Sequence, residues 1–297
     1  MRIIEPSVEI YNEPDHFKKI ETIARVCTGT QDKVGSKPGF VENLWKNRHE
    51  TPFEHVRIKV EKLPIPFCDL PPEERLIKSI FGEDMSGDTY GQSYRRIKER
   101  EKVLNPKTGR KVFREFTAVN GRDYLAMGGK LDSLKEFPEA DDYMTVKFTV
   151  DIGVARELIR HRQMSFMERS TRYCNMAGGI EFIKPVPFEW VEFNPESNTA
   201  GNYTDWLDAC FNAEKVYMRM IKRGARPQEA RTVLPLSTAT VLYVTGMYKQ
   251  WGDMLKLRLA PGAHPQMRYI MQKLVELDDF PKGIFPKDKI KVPEAGK

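Results

Sequence analysis

The chain has 297 residues, of which 40% are hydrophobic and 30% are charged. This composition is typical of a soluble protein with one large domain or two ordinary ones. No apolar run reaches the roughly eighteen residues that a transmembrane helix needs, so we expect no membrane partner. The formal net charge of +6 favours anionic partners, without choosing among nucleic acid, nucleotides and phosphorylated cofactors.

The cysteines are scattered and include no CxxC pair. This arrangement indicates neither a disulfide framework nor a zinc knuckle, and we expect no metal site. The N-terminal segment turns acidic and contains proline too early for a signal peptide. Together these features favour a reducing, cytoplasmic environment. The four cysteines are Cys27, Cys68, Cys174 and Cys210.

The N-terminal half predicts a helical region followed by two well-separated strands. Residues 24–47 carry a mixed apolar pattern that is typical of helix. Residues 56–60 and 144–150 alternate apolar and polar side chains, which predicts half-buried strands. Residues from about 64 to 143 open with a proline-rich segment and contain a turn at 105–109, so we interpret them as an insertion.

The C-terminal half predicts mostly helix. Residues 151–162 place apolar side chains on one side, and residues 206–223 form a strongly amphipathic pattern that ends at Gly224. Between them, residues 185–204 predict a loop. A short helix is predicted to begin at Pro227, followed by helices over 238–257 and 264–277. The sequence therefore predicts an α+β fold, as a single domain over residues 1–297 that includes the insertion.

Several familiar site patterns are incomplete in this chain. Residues 82–87 have the glycine spacing of a phosphate-binding P-loop, but Asp88 stands where the lysine is required. No GxGxxG is present, so a Rossmann nucleotide site is not supported. Residues 49–53 begin like a metalloprotease helix, but Phe53 occupies the second histidine position and Pro52 interrupts the helix.

Residues 160–173 are the most informative segment of the chain. They contain four arginines, one histidine, one glutamate and two serines, directly after a predicted helix. Arginine binds phosphate or carboxylate oxygens with a planar fork, and clustered arginines repel each other unless an anion lies among them. Glu168 can orient one guanidinium, while Ser165 and Ser170 supply neutral donors. The pattern indicates a site for a phosphorylated ligand; a solvated basic helix face has the same composition, and composition alone does not decide between them.

This segment resembles the motif of the flavin-dependent thymidylate synthases, RHRxxSxxExSxRY. Three further segments are similar to parts of that family: residues 49–55 to its early segment, residues 229–235 to its EARxVLP segment, and residues 257–266 to its late LR…AHPQ segment. Residues 120–122 are similar to its SGNxR stretch. All eight fixed motif positions are present, as Arg160, His161, Arg162, Ser165, Glu168, Ser170, Arg172 and Tyr173.

The resemblance implies a fold, an activity and an assembly. The fold would be a mixed or antiparallel central sheet packed with long helices, in a homotetramer whose sites draw on several subunits. The activity would be reductive methylation of dUMP to dTMP, with FAD as cofactor, 5,10-methylenetetrahydrofolate as carbon donor and NADPH as reductant. The partners would be dUMP and folate; a nucleic-acid partner is not expected.

The resemblance also implies site residues. Arg258 would polarise the uracil and favour ionisation at N3, with Ser170 as a second catalytic residue, and Arg231 would come from a neighbouring chain. The implied FAD-binding residues are His49, Thr51, Arg160, His161, Arg162, Glu168 and Asp253. The implied dUMP-binding residues are Glu157, Arg160, Glu168, Ser170, Arg172, Arg231 and Arg258.

The implied mechanism uses no enzyme nucleophile. Cys174 adjoins the motif, but no cysteine matches a catalytic position, and we interpret it as a packed residue. Reduced flavin and an electron-rich uracil would carry the bond changes, while the protein supplies orientation and charge. The sequence departs from many family members at Met167, where they have Asn or Gln. It departs from some members at Glu157, where they have Gln, and at Met247, Lys249 and Asp253, where they have polar flavin contacts such as Asn and Arg.

Two alternative functions remain open at the level of sequence. The first is an enzyme of the same fold with another uridylate substrate, such as a UMP methylase or a deoxyuridylate hydroxymethylase. The second is a basic nucleic-acid-binding protein that keeps the fold without the chemistry; retention of the motif with Arg231 and Arg258 argues against it. The basic run at 95–114 is interpreted as a solvated hairpin or helix, with binding of nucleic acid or folate glutamates left open.

Overall fold

A computed structural model describes residues 1–61, 99–104, 111–185 and 200–285. The chain divides into two compact units. Unit 1 comprises Met1–Asn12, Arg25–Asp32 and Met144–Lys297, and unit 2 comprises Glu13–Ala24 and Lys33–Tyr143. The motif segment therefore belongs to unit 1, and the whole predicted insertion belongs to unit 2.

The described residues form an α+β fold whose sheets contain two, three or four strands. The strands are β1 Arg2–Ile4, β2 Ser7–Ile10, β3 Arg57–Val60, β4 Glu99–Leu104, β5 Lys111–Asn120, β6 Tyr143–Asp151, β7 Ser165–Glu168, β8 Glu181–Ile183 and β9 Ala239–Met247. The α-helices are α1 His16–Val26, α2 Phe40–Lys46, α3 Gly121–Ala126, α4 Ile152–Leu158, α5 Ala200–Lys222, α6 Pro227–Ala230, α7 Tyr248–Arg258 and α8 Pro265–Glu276. Short 3-10 helices occupy Gln31–Lys33, Thr51–His55, Asp132–Lys135 and Arg231–Val233.

Unit 2 is organised around the antiparallel order β3-β5-β4. Its core packs Phe53, Ile58, Val119 and Leu134, all without exposed surface. Strand β3 confirms the strand predicted at 56–60. Strands β4 and β5 pair antiparallel, which confirms the hairpin alternative for the backbone of this part of the basic run. The rest of the run and the turn predicted at 105–109 lie outside the described residues; these basic residues are Arg95, Arg96, Lys98, Lys107 and Arg110.

Unit 1 contains the sheet order β2-β6-β9-β7 and a separate parallel pair of β1 with β8. Within the larger sheet, β2 pairs with β6 and β7 pairs with β9, both antiparallel. Strand β6 confirms the prediction over 144–150, and its Val146 and Phe148 pack into a core with Trp251 and Leu274. Since β7 holds the middle of the motif segment against β9, the sheet fixes the backbone of the predicted anion site.

The prediction of one long helix over 238–257 is wrong. Residues 239–247 form β9, and helix α7 begins only at Tyr248. Strand β9 is buried almost throughout, so it lacks the alternation that identifies a half-exposed strand and has the apolar pattern of a buried helix. Its β-branched Thr240, Val241, Val244 and Thr245 favour the extended backbone, because branching at Cβ is crowded in a helix.

Other helices differ mainly in their bounds. The region 24–47 contains the end of α1 and all of α2 rather than one helix, and the helix predicted at 151–162 ends at Leu158. The helices predicted at 206–223 and 264–277 are confirmed as α5 and α8, and Gly224 adopts a φ of 91° directly after α5. Such a left-handed conformation favours glycine and ends the helix. The loop predicted at 185–204 lies largely outside the described residues.

Candidate functional site

Helix α4 positions three charged residues next to the motif. Its N-terminus is capped by Asp151, whose Oδ1 accepts a hydrogen bond from the Val154 amide at 2.8 Å. Asp151 Oδ2 accepts a second bond from Gln266 Nε2 at 2.8 Å, which ties α4 to the start of α8. Because Val154 and Leu158 face the core, Arg156 and Arg160 are exposed and Glu157 is half-buried.

Arg258, at the end of α7, donates hydrogen bonds to Glu157 of α4 and to His161 of the motif. Its Nε donates to His161 Nε2 at 2.9 Å, its Nη1 donates to the Glu157 carboxylate at 2.9 Å, and its Nη2 donates to the Glu157 carbonyl at 2.8 Å. The Arg258 side chain is only 13% exposed. The structure therefore brings together three predicted site residues, separated by up to 101 positions in the chain.

The contact with Arg258 determines the protonation state of His161. Since Nε2 accepts a hydrogen bond, the ring is neutral and carries its proton on Nδ1. Burial, followed by the charge of Arg258, lowers the pKa of His161 below its ordinary value. Arg258 thus uses three of the five N–H groups of a guanidinium inside the protein, and the other two have no partner among the described residues.

A cavity of about 670 Å³, which we call cavity 1, lies beside the motif segment. Of the predicted dUMP residues, it brings together Glu168, Ser170 and Arg231, whereas Arg172 and Arg258 are not among its lining residues. The Ser170 amide donates to the Cys27 carbonyl at 3.1 Å, which fixes the turn after β7. Cavity 1 is lined by Ile152, Arg156, Ile159, Glu168, Arg169, Ser170, Thr171, Arg231, Thr232, Leu234, Pro235 and Leu236.

Glu168 is a partly buried carboxylate among arginines. Thr240 Oγ1 donates to its Oε1 at 3.0 Å. Burial raises the pKa of Glu168, and the bond from Thr240 and the charges of Arg156 and Arg169 oppose that rise. Arg169 donates to the Ala239 carbonyl at 2.7 Å, but its buried Nε has no hydrogen-bond partner among the residues that the structure describes.

A second cavity of about 470 Å³, cavity 2, shares Arg156 and Leu236 with cavity 1. It contains the predicted residues Glu157 and Arg160, so the charged side of α4 adjoins both cavities. Cavity 2 is lined by Asp151, Gly153, Val154, Arg156, Glu157, Arg160, Pro185, Trp206, Leu236, Ser237, His264 and Gln266.

The remaining arginines of the motif lie at the surface. Arg160 and Arg162 are exposed, and neither side chain has a hydrogen-bond or ion-pair partner within the described ranges. Arg172 is also exposed; its Nε donates to Gln228 Oε1 at 3.2 Å, and its guanidinium lies 5.2 Å from the centre of the Tyr173 ring. Arg160 and Arg162 are therefore available for an anion, in keeping with the prediction from their clustering.

The other predicted FAD residues are also solvent-exposed. His49 and Thr51 belong to unit 2, where the neighbouring Glu50 and Glu54 both accept hydrogen bonds from Arg122. Asp253 lies on α7, is 67% exposed, and is 3.8 Å from Lys249. Their roles toward FAD stay predictions.

Arg156 is a cavity residue that the motif does not identify. It lies outside the fourteen motif positions, yet it lines both cavities. The sequence does contain a usable signal: Arg156 and Arg160 are four residues apart, which places them on the same face of a helix. Trp206 in cavity 2 comes from a distant segment, and no local pattern identifies it. His264 and Gln266 lie in the late segment at 257–266, but its similarity to the family assigned them no role.

Cys174 has the surroundings of a packed thiol. Its Sγ donates to the Cys27 carbonyl at 3.6 Å, and burial raises the pKa of Cys174. A thiol with a raised pKa holds less of the nucleophilic thiolate at neutral pH. These contacts support its interpretation as a structural residue.

Metal-binding clusters and membrane-spanning helices are both absent from the described part of the chain. No group of three or more His, Cys, Asp or Glu side chains there could hold a metal ion. Within the same ranges, no helix has both the length and the apolar character needed to span a membrane.

Residues 138–281 match the family model described as thymidylate synthase complementing protein. The chain is 23% identical over 308 positions to a flavin-dependent thymidylate synthase of Aquifex aeolicus, covering 88% of this chain and 93% of that protein. It is 27% identical over 164 residues to a flavin-dependent thymidylate synthase of Mycobacteroides abscessus, covering 52% of this chain and 63% of that protein.

Coverage of other relatives is partial. For two flavin-dependent thymidylate synthases, from Synechocystis and Pyrococcus abyssi, the chain spans 61% and 54% of their length. A solved structure, a UMP/dUMP methylase PolB from Streptomyces cacaoi, is similar with a TM-score of 0.44 and 18% identity, over 92% of this chain and 88% of that one. Over residues 138–281 and in its complete motif, the chain is similar to the flavin-dependent thymidylate synthases.

Proposed function

We propose that the protein catalyses the FAD-dependent reductive methylation of dUMP to dTMP, with 5,10-methylenetetrahydrofolate as carbon donor and NADPH as reductant. The observation that carries the proposal is the three-residue cluster in which Glu157 and His161 hold Arg258. A guanidinium fixed in this way supplies oriented positive charge without reorganising during the reaction.

Cavity 1 has the size and charge that a nucleotide monophosphate requires. Its volume lies within the range of roughly 300–1,000 Å³ that is usual for small-molecule sites. Its wall contains three arginines and one carboxylate, an excess of two positive charges, and a phosphate monoester carries about two negative charges at neutral pH. Ser170 and Thr171 add hydroxyl donors to the same wall.

Arg258 would act on the uracil ring. Its two remaining N–H groups can donate to a uracil oxygen, which stabilises the negative charge that develops when N3 ionises. The neutral state of His161 matters here, because a protonated imidazole would repel Arg258 and lose its acceptor atom. Glu157 and His161 therefore orient the charge that Arg258 presents.

The chain also offers groups that fit a dinucleotide cofactor. Arg160 and Arg162 are exposed and their guanidinium groups lack partners within the described ranges, and paired guanidinium forks suit the oxygens of a diphosphate. When bound, FAD supplies hydride-transfer chemistry that no side chain provides. The protein's own contribution is to bind phosphate, orient the ring systems and hold Arg258.

Tritium release from [5-³H]dUMP tests the function directly. The methylene carbon of the folate becomes bonded to C5 while its two bonds to folate nitrogens break, and the nitrogens take up protons as tetrahydrofolate leaves. The C5 proton is released, and a hydride from NADPH reduces the new substituent to a methyl group. We expect release that requires both the folate and NADPH, together with dTMP formation and a yellow, FAD-containing protein. Tritium release without dTMP, or a colourless protein that does not bind added FAD, would contradict the proposal.

A pair of substitutions tests the cofactor assignment. We expect Arg160→Ala with Arg162→Ala to lose FAD, because the clustered guanidinium groups would bind its phosphates. Arg219→Ala, on the exposed face of α5 and outside both cavities, is the matched control and should retain FAD. A folded double variant with normal FAD content would show that these arginines do not bind the cofactor.

A further inference from the structure

Arg156 has guanidinium donors to which the proposed function assigns no ligand. It is exposed on α4, and its guanidinium has no hydrogen-bond or ion-pair partner among the described residues. It lines both cavities, so it lies on the wall that the two share. Its position is not one of the fixed positions of the family motif, RHRxxSxxExSxRY.

The other arginines of cavity 1 are already partly occupied. Arg169 donates to the Ala239 carbonyl at 2.7 Å and lies 3.9 Å from Glu181, and Arg231 donates to Thr171 Oγ1 at 3.3 Å. Arg156 alone among these three keeps its full set of donors for a ligand within the described structure. It also lies close enough to Glu168 for its charge to act on that carboxylate.

We propose that Arg156 is a further nucleotide-binding residue, which binds the 5′-phosphate of the nucleotide at the shared wall. The proposal rests on the proposed function and specifies which end of the substrate occupies cavity 1. Phosphate suits this wall because of its excess positive charge and its hydroxyl donors from Ser170 and Thr171.

The same helix then serves both ends of the nucleotide. Glu157 follows Arg156 directly and binds Arg258, the residue assigned to the uracil. Since Glu157 and Arg156 both line cavity 2, a nucleotide whose phosphate contacts Arg156 can extend along α4 toward the cluster of Glu157, His161 and Arg258. Arg156 thereby sets the distance between the phosphate and the reacting ring.

The experiment compares dUMP with deoxyuridine, which differs only in lacking the phosphate. Binding of each to FAD-loaded protein is measured by isothermal titration for the wild type, Arg156→Gln, Arg156→Lys and Arg219→Gln. We expect Arg156→Gln to weaken dUMP binding by about tenfold to a hundredfold, the usual range for a charge-assisted hydrogen bond, and to leave deoxyuridine binding unchanged.

The lysine variant should lose less affinity for dUMP than the glutamine variant, because an ammonium keeps the charge but not the planar fork. Arg219→Gln removes one positive charge from the same unit outside the cavities and should bind both ligands normally. FAD content and circular dichroism establish that each variant is folded. If Arg156→Gln does not fold, the ratio of dUMP to deoxyuridine affinity in Arg156→Lys decides the question.

The possible failures are distinguishable. A wild-type protein that binds no dUMP would overturn the proposed function. Wild-type binding of dUMP together with unchanged binding by Arg156→Gln would overturn the role of Arg156 alone. An equal loss of dUMP and deoxyuridine affinity would also overturn it, because the effect would then be independent of the phosphate.

Discussion

At the scale of single residues, the site depends on which donors and acceptors are already paired. The Arg258 side chain makes three hydrogen bonds within the protein, whereas the side chains of Arg156, Arg160 and Arg162 make none within the described ranges. The paired arginine is suited to presenting charge in a fixed direction, and the unpaired ones are suited to binding anions that arrive from solution.

The sharpest residue-scale prediction contrasts Arg258 with Cys174. Arg258→Ala should lower turnover at saturating dUMP by about 10²- to 10³-fold, the usual effect of removing one stabiliser of developing charge. Arg258→Lys should recover only part of the lost turnover, because an ammonium keeps the positive charge but lacks the planar fork. Cys174→Ser should keep most activity, because no thiolate attacks the uracil. An inactive Cys174→Ser beside a nearly normal Arg258→Ala would indicate an enzyme nucleophile.

A second residue-scale prediction concerns Asp123 in unit 2. Burial raises its pKa to about 6 from 3.8, and its Oδ2 is buried without a hydrogen-bond partner in the described structure. Between these two pH values the folded state binds more protons than the unfolded state, so stability falls as pH rises through this window. Above this pH window Asp123 is ionised in both states, and the free energy of unfolding stays lowered by the cost of burying its charge.

We therefore expect Asp123→Asn to raise the free energy of unfolding by about 1–3 kcal/mol at pH 7.5, because an amide cannot ionise. At pH 4 the gain should largely disappear. Urea unfolding at both pH values measures this difference. Asp132→Asn, at a side chain that is 84% exposed, is the control and should show little change at either pH. A gain of equal size at both pH values would mean that ionisation is not its cause.

At the scale of secondary-structure elements, one seven-residue helix organises the site. Helix α4 supplies Arg156 and Glu157, and Arg160 follows within one turn of its end. The Asp151 cap anchors its start to Gln266 of α8. A Cβ at Gly153 would approach Asp151 Oδ1 to 2.8 Å, so glycine keeps this cap free of steric strain.

Loss of the cap should therefore affect both stability and activity. Asp151→Ala removes the acceptor for the Val154 amide, and we expect a loss of about 0.5–2 kcal/mol in the free energy of unfolding, with lower turnover. Asp151→Asn keeps a capping oxygen, and a flipped Gln266 amide can accept from the new NH₂ group, so it should retain most of both. Urea unfolding and tritium release measure the two effects. Equal losses in both variants would show that the cap is not responsible.

At the scale of the whole molecule, unit 1 exposes apolar side chains around the site. Ile159 and Leu236 line cavity 1 and are 43% and 56% exposed, and Tyr173 of the motif is 57% exposed. Apolar surface gathered at a concave site is typical of a surface that another molecule covers. The homotetramer that the resemblance implies stays a prediction.

Assembly is tested by analytical ultracentrifugation. We expect a species of about four times the chain mass of 34.4 kDa, because neighbouring copies would complete the site and cover these side chains. Sedimentation should be followed with and without FAD over a range of protein concentrations. A monomer that retains full turnover would be inconsistent with a site shared among chains.

The family and the kind of site follow from the sequence, because those signals are local. The spacing of arginine, serine and glutamate over residues 160–173 is set by neighbouring positions, and the matches to relatives agree with the resemblance that this spacing indicates. The strands at 56–60 and 144–150 can also be predicted, since alternation is a property of consecutive residues. Their periodicity depends on one face being more exposed than the other.

Which residues meet in the site depends on the tertiary structure. Strand β9 has the sequence pattern of a helix, because burial on both faces removes the alternation that marks a strand. The bonds from Arg258 to Glu157 and His161 join positions 101 and 97 residues apart, and the free donors of Arg156 become apparent only when its surroundings are known. Such pairings depend on how helices pack onto a sheet, and the order of residues along the chain does not encode them locally.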